Sequence, residues 1–206
     1  MYDALLLDIG FVIIDVRAAV AAYEKPTGTG PPGREPVDQD GDARWRAYRA
    51  GAVSADEYWG EVARSRGFDG LRGLFRALTE AVPDDLFDPA AVALMRDARE
   101  ARRRVGVLSN EAYTFMGRDF FARRPEFADL DAFVDASEVG ARKPAPEAYL
   151  AAADALAVMP AGVVFLDDTP ECVEGANHVG MHGILVDPFD RTPAFDRARA
   201  LLHLPA

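Results

Sequence analysis

The sequence has little of what marks secreted and membrane proteins. Among its 206 residues there is a single cysteine, Cys172, so no internal disulfide can form and a reducing compartment is favoured. No apolar run reaches the roughly 18 residues that are needed to cross a bilayer. The opening residues lack the basic segment of a secretion signal. These absences predict a cytoplasmic protein without a membrane partner.

Basic residues are also scarce. The 23 lysines and arginines face 34 aspartates and glutamates, which gives a formal net charge of −11. This charge repels phosphate-rich polymers at long range and argues against a nucleic-acid partner. A small phosphorylated substrate stays compatible, because local cations can override the global field. The sequence makes no prediction of the oligomeric state.

Short apolar runs that end at polar residues recur along the chain. They predict strands at residues 4–7, 104–108, 162–166 and 183–186, with a weaker one at 132–135. Helical patterns lie between them, at residues 88–102, 146–157 and 170–179. Strands that alternate with helices of this length pair in parallel. We therefore predict an α/β fold with a Rossmann-like, doubly wound parallel sheet.

The alternation of strands and helices stops between residues 15 and 83, where only helical patterns occur. Ser54 to Glu57 has the form of a capping box, and residues 26–41 are rich in glycine and proline, which is typical of a loop. Helices inserted directly after the first strand would lie over its carboxyl end. We predict a core formed by residues 1–14 and 84–206, and a small all-helical cap formed by residues 15–83.

Polar residues stand at the ends of the predicted strands. Asp8, the pair Ser109-Asn110 and the pair Asp167-Asp168 each follow a strand, and Lys143 lies in a loop. Alone, each is most simply a helix cap or a solvated loop residue. Ligands of such sheets bind at the carboxyl ends of the strands, where the three aspartates would concentrate negative charge. Mg²⁺ and one lysine would offset it, so the set is consistent with phosphoryl transfer.

Four segments in this order resemble the motifs of the haloacid dehalogenase superfamily. They are Leu7-Asp8-Ile9-Gly10-Phe11-Val12, Leu108-Ser109-Asn110, Arg142-Lys143-Pro144 and Phe165-Leu166-Asp167-Asp168. The resemblance spans residues 3 to 187. Residues 140–149 and 174–177 are similar to the sugar-phosphatase branch typified by α-D-glucose-1-phosphate phosphatase. Members of that branch carry a small helical cap of the C1 type.

The resemblance implies a nucleophile and a magnesium site. Asp8 would attack the phosphate ester and form an aspartyl-phosphate that water then hydrolyses. Asp8, Asp168 and the backbone carbonyl of Gly10 would bind Mg²⁺, and Asp167 would support the ion directly or through water. The implied activity is that of a phosphoric monoester hydrolase.

The resemblance also implies how a substrate is held. Ser109 and the backbone amide of Asn110 would bind the oxygens of the transferring phosphoryl group. Lys143 would neutralise charge on the nucleophile and on the phosphate. The implied substrate is a small phosphorylated metabolite, for which a sugar phosphate is one option.

Gly10 departs from the pattern of most phosphatases of the superfamily. These have a second aspartate two residues after the nucleophile, which protonates the leaving group. Glycine cannot transfer a proton, and a missing general acid lowers the rate by about 10²–10⁴. A good leaving group, such as an anomeric sugar oxygen or an acyl phosphate, would tolerate this loss. Water, Asp15 or Glu24 are possible substitutes for the acid.

Two alternatives follow from the same residues. A 2-haloacid dehalogenase releases halide without protonation and would not need an acid at Gly10. Those enzymes act without metal, however, which leaves Asp167 and Asp168 unexplained. The second alternative is a binding or regulatory protein that keeps the scaffold and has lost turnover.

Overall fold

A computed structural model describes residues 2–14, 43–44, 47, 52–65, 67–70, 73–77, 86–188 and 190–205. The chain divides into two units. The first consists of Met1–Asp15, Phe87–Tyr113 and Arg118–Ala206, and the second of Val16–Leu86 with Thr114–Gly117. The assignment of residues 15–83 to a cap stays a prediction.

The first unit is built on one five-stranded sheet. Its strands are β1 (Ala4–Leu7), β2 (Arg104–Ser109), β3 (Ala132–Asp135), β4 (Val163–Asp167) and β5 (His182–Leu185). All neighbouring strands pair in parallel, and the spatial order is β3-β2-β1-β4-β5. The doubly wound parallel sheet is therefore confirmed, and each predicted strand lies within one residue of its expected position.

Eight α-helices have bounds within the described residues. They are α1 (Ala55–Ser65), α2 (Pro89–Glu100), α3 (Ala112–Met116), α4 (Arg118–Ala122), α5 (Ala136–Val139), α6 (Pro146–Leu156), α7 (Pro170–His178) and α8 (Thr192–Leu202). Short 3-10 turns cover Pro125–Phe127 and Pro160–Gly162. The three helices predicted between strands correspond to α2, α6 and α7.

Local sequence explains where α2 and α7 begin and end. Asp88 caps α2, because its Oδ1 accepts hydrogen bonds from the backbone amides of Ala90 at 2.8 Å and Ala91 at 3.1 Å. Pro89 occupies the first turn, where its missing N–H leaves no bond unmade. Gly180 follows α7 with a φ of +92°, a backbone conformation that favours glycine.

The core lies on both faces of the sheet. Ala4 and Leu6 of β1 pack in a cluster with residues of α6 such as Tyr149 and Ala152. Alternate residues of a strand point to opposite faces. Leu5 and Leu7 therefore face the other side, and because they are fully buried they need a second cover. Helices α2 and α8 supply it, since they contact each other and the central strands.

In the second unit, the capping box predicted before α1 is present. The amide of Ser54 donates to Glu57 Oε2 at 3.0 Å, and the amide of Glu57 donates to Ser54 Oγ at 3.2 Å. Tyr58 of α1 is buried, and Phe75 packs against Phe115 with ring centroids 4.8 Å apart. The predicted loop at residues 26–41 lies outside the described residues.

No helix in the described part of the chain meets the length and hydropathy that a membrane span requires. The longest helix there, α2, has 12 residues. A span needs about 20 residues that are mainly apolar.

Gly175 is expected to be essential for the packing of α7. A Cβ at this position would lie 2.7 Å from Tyr149 Oη and 2.8 Å from the carbonyl oxygen of Pro144, which is closer than real Cβ atoms come. We expect Gly175→Ala to lower the free energy of unfolding by roughly 1–3 kcal/mol, measured by urea titration. Gly73→Ala is the matched control, because Gly73 is also helical and its nearest contact for a Cβ, Phe68, is 3.7 Å away. An equal effect of both substitutions would contradict the packing argument.

Candidate active site

Asp8 leaves the sheet at its centre. Strand β1 lies between β2 and β4, and Leu7 pairs with Val107 on one side and Leu166 on the other. The amide of Asp8 continues this pairing by donating to the carbonyl oxygen of Leu166 at 2.9 Å. The carboxylate of Asp8 thus stands at the carboxyl edge of a parallel sheet, where ligands of such sheets bind.

Two further carboxylates converge on Asp8. Asp167 is the last residue of β4, and Asp168 follows it directly. One carboxylate oxygen from each of the three aspartates lies within 4.8 Å of the others. Asp167 and Asp168 are 1% and 7% exposed. The predicted convergence of residues far apart in the chain is therefore present in the fold.

Lys143 joins the acidic groups. Its Nζ donates hydrogen bonds to Asp8 Oδ1 at 2.7 Å, to Asp167 Oδ2 at 2.6 Å and to the carbonyl oxygen of Leu108 at 2.9 Å. The side chain is 2% exposed. All three hydrogens of the ammonium group are thereby used, and the group is fixed beside Asp8.

Burial and charge act in opposite directions on this pair. Burial raises the pKa of the Asp8 carboxyl, and the ammonium of Lys143 opposes the rise. For Lys143, burial by itself lowers the pKa, but the carboxylates of Asp167 and Asp8 outweigh it and hold the pKa above its ordinary value. Lys143 is therefore a permanent cation of the site.

Asn110 positions the segment that carries Lys143. The Asn110 side chain accepts a hydrogen bond from the backbone amide of Lys143 at 2.8 Å and donates one to the carbonyl oxygen of Lys143 at 3.2 Å. Ser109, the residue before it, ends β2 and is 8% exposed. The expected role of these two residues in binding phosphoryl oxygens stays a prediction, whereas the bridge from Asn110 to Lys143 was not foreseen.

The donor set fits a hard divalent cation such as Mg²⁺. Such ions prefer carboxylate and carbonyl oxygens. Three carboxylates in one buried place also carry more negative charge than Lys143 alone can offset. Both oxygens of Asp167 already accept hydrogen bonds, Oδ2 from Lys143 and Oδ1 from the amide of Thr169 at 2.8 Å. Asp167 therefore also holds the lysine, and all three aspartates are candidate ligands of the ion.

Gly10 leaves room where an acid side chain would stand. Among the described residues other than its chain neighbours, the only atom within 4 Å of a Cβ built at Gly10 is Asp8 Oδ2, at 3.9 Å. A Cβ at this position would therefore be in ordinary contact with the Asp8 carboxylate. The proposed substitutes for the missing acid, Asp15 and Glu24, lie outside the described residues.

Two arginines beside this edge of the sheet make contacts that the sequence did not indicate. Arg142 forms an ion pair with Glu111, which directly follows Asn110. Arg191 donates through Nε to the carbonyl oxygen of Phe11 at 2.7 Å. Their partners are distant in the chain, so no local pattern signals these contacts. For Arg142, its position next to Lys143 was the one available hint.

Fold and site together define a parallel α/β protein with an acidic site at the carboxyl edge of its sheet. The chain belongs to the haloacid dehalogenase-like hydrolase family, which matches residues 5–180. This match covers all four sequence motifs, three of the five strands in full and all but the first residue of β1. The resemblance inferred from the sequence is thereby confirmed at the level of the family.

The proteins to which the chain is similar include phosphatases and a dehalogenase. The chain is 35% identical over 104 residues to Phosphatase MT3486 of Mycobacterium tuberculosis, a match that covers 50% of this chain and 48% of that protein. Its fold is similar to a HAD phosphatase from Thermococcus onnurineus (TM-score 0.63, 18% identity, 98% of each chain). It is also similar to L-2-haloacid dehalogenase from Xanthobacter autotrophicus (TM-score 0.62, 19% identity, 98% of this chain and 83% of that one). At these identities the two structures establish the fold alone.

Proposed function

We propose that this hydrolase is a Mg²⁺-dependent phosphatase that acts on a small phosphorylated metabolite through an aspartyl-phosphate on Asp8. The observation that carries the proposal is the convergence of three carboxylates, with one oxygen of each within 4.8 Å of the others, two of which pair with the buried Lys143. The named phosphatase relative supports the same activity. Because that match spans about half of each protein, it does not extend to a substrate.

Charge neutralisation supports a metal-dependent reaction. Asp8, Asp167 and Asp168 contribute three negative charges, and Lys143 contributes one positive charge. A phosphate dianion entering this place would be repelled unless a further cation were bound. Asp8, Asp168 and the carbonyl of Gly10 would hold Mg²⁺, with Asp167 as a supporting ligand. The bound ion would supply positive charge to the phosphoryl oxygens.

The residues of the chain would divide the reaction as follows. A carboxylate oxygen of Asp8 attacks phosphorus, and the bond from phosphorus to the leaving oxygen breaks. Ser109 and the amide of Asn110 hold the phosphoryl oxygens, and Lys143 keeps its proton and offsets their charge. Water then attacks phosphorus and releases phosphate, which regenerates the Asp8 carboxylate.

The missing side chain at Gly10 narrows the range of substrates. The leaving oxygen must depart without a proton from this position or take one from water. We therefore propose a phosphate on a good leaving group, such as a sugar 1-phosphate or an acyl phosphate. We further propose that residues 15–83 form a cap that selects the substrate, and that the single cysteine reflects a cytoplasmic location.

Metal dependence tests the proposal against the dehalogenase alternative. We expect hydrolysis of p-nitrophenyl phosphate in the presence of Mg²⁺, at least about 100-fold reduced by EDTA and restored by added Mg²⁺. Chloride release from 2-chloropropionate, measured in parallel, is expected to stay at the background rate. Metal-independent chloride release without phosphatase activity would overturn the proposal and favour a dehalogenase.

Gly10 also supports a second candidate, a binding or regulatory protein without efficient turnover. This candidate shares the site and differs only in the reaction rate. A screen of sugar 1-phosphates, nucleotides and acyl phosphates with Mg²⁺ separates the two. Measurable binding of Mg²⁺ and phosphate, without hydrolysis of any ester in the screen, would favour the binding protein.

A further inference from the structure

Two ion pairs of the same type join helices α2 and α8. Asp88 and Arg191 pair at 3.4 Å just before the two helices begin, and Asp97 and Arg199 pair at 2.6 Å near their carboxyl ends. The arginine side chains are 10% and 17% exposed. The helices of a parallel sheet begin at its carboxyl edge, so only the first pair lies at the edge that carries Asp8.

The pair at the carboxyl edge also holds the loop that follows Asp8. Arg191 Nε donates to the carbonyl oxygen of Phe11 at 2.7 Å, and the backbone amide of Asp88 donates to the carbonyl oxygen of Ile13 at 2.8 Å. Within the loop, the backbone amide of Phe11 donates to the carbonyl oxygen of Ile14 at 2.9 Å. Arg191 and Asp88 thus fix two carbonyl groups of the loop from outside.

Phe11 needs such support because of its backbone conformation. Its φ of +60° lies in the left-handed region, which is unfavourable for a residue with a Cβ. This angle sets the orientation of the peptide group between Gly10 and Phe11 relative to the rest of the loop. A bond to the carbonyl oxygen of Phe11 therefore also constrains the direction of the carbonyl of Gly10.

We propose that Arg191 is a positioning residue for the magnesium site. By holding the carbonyl oxygen of Phe11, it keeps the carbonyl of Gly10 directed toward the carboxylates of Asp8 and Asp168. It does not touch the ion or the substrate. This inference rests on the magnesium-dependent function proposed above.

Magnesium affinity of the ligand-free protein is the direct test, measured by isothermal titration calorimetry without substrate. We expect Arg191→Met to weaken Mg²⁺ binding about 10-fold or more, as is typical when the support of a metal ligand is lost. Arg199→Met is the matched control, because it breaks an ion pair between the same two helices at the opposite edge of the sheet. Its affinity is expected to stay within about 2-fold of the wild type, although both variants unfold at a lower temperature.

Arg191→Lys extends the test to a variant that keeps the charge. Lysine can bond to Phe11 or to Asp88 but lacks the planar fork that reaches both, so we expect an affinity between wild type and Arg191→Met. This variant also decides the question if Arg191→Met does not fold.

Three results would overturn the inference. Wild-type affinity in the Arg191 variants would do so and would leave the proposed function intact. An equal loss in Arg199→Met would mean that general helix packing sets the affinity. Absence of Mg²⁺ binding by the wild type would overturn the inference and the proposed metal-dependent function together.

Discussion

Replacement of Asp8 by asparagine is expected to lower the Mg²⁺-dependent turnover of p-nitrophenyl phosphate by roughly 10⁴-fold or more. The amide has nearly the same shape as the carboxylate, but it is neutral and a poor nucleophile. Neither the aspartyl-phosphate nor its hydrolysis could then proceed at this position. Steady-state kinetics with saturating Mg²⁺ provide the measurement.

The same substitution is expected to leave the unfolding midpoint nearly unchanged. Burial raises the pKa of the Asp8 carboxyl above its ordinary value, which means that the ionised carboxylate does not stabilise the folded state. Lys143 keeps its bonds to Asp167 and to the carbonyl of Leu108 when Asp8 becomes neutral. Inactivity would therefore reflect lost chemistry and not lost structure.

Asp154→Asn is a suitable control for this experiment. Asp154 is an exposed carboxylate on α6, and its replacement removes the same charge from the surface. We expect it to retain full activity. If Asp8→Asn kept more than about a tenth of the wild-type turnover, Asp8 could not be the nucleophile.

The sheet could be predicted from the sequence because its signals are local. The apolar run at residues 4–7 is fully buried, as expected for a central parallel strand. Asp88 and Gly180 mark the ends of helices by backbone chemistry that involves only their neighbours. Such signals depend on a few consecutive residues, so they can be interpreted without knowledge of the fold.

Convergence of the aspartates was also predictable, but the contacts among them were not. Parallel topology brings the ends of β1 and β4 to one edge, which is sufficient to place Asp8 near Asp167. The sequence assigned Asp167 to the metal but did not indicate its bonds to Lys143 and Thr169, which hold the lysine. The pairing of each carboxylate oxygen with its hydrogen-bond donor depends on side-chain geometry, which the periodicity of the sequence does not predict.

The contact between Arg191 and Phe11 could not be predicted for a related reason. Arg191 is separated from Phe11 by 180 residues, and nothing in its own segment indicates an active-site contact. Residues of the predicted cap that would select a substrate could not be predicted for a different reason. Their identity depends on which side chains face a substrate. A helical pattern does not distinguish side chains that face a substrate from side chains that pack in a small core.

Replacement of Lys143 by methionine is expected to abolish phosphatase activity and to lower the free energy of unfolding by about 3–5 kcal/mol in the presence of EDTA. The side chain is 2% exposed, so its charge is not screened by solvent. Removing it leaves the carboxylates of Asp8 and the buried Asp167 close together without their shared cation. Urea titration measures the stability, and p-nitrophenyl phosphate hydrolysis measures the activity.

Two comparisons separate this charge effect from a loss of packing. Mg²⁺ is expected to raise the unfolding midpoint of Lys143→Met by more than it raises that of the wild type, because the unpaired carboxylates bind a cation more strongly. Adding Asp167→Asn to Lys143→Met removes one of the uncompensated charges, so the double variant should regain stability but not activity. If the double variant were less stable than Lys143→Met, the lysine would act mainly by filling space, and charge neutralisation could not explain why it is buried between two aspartates.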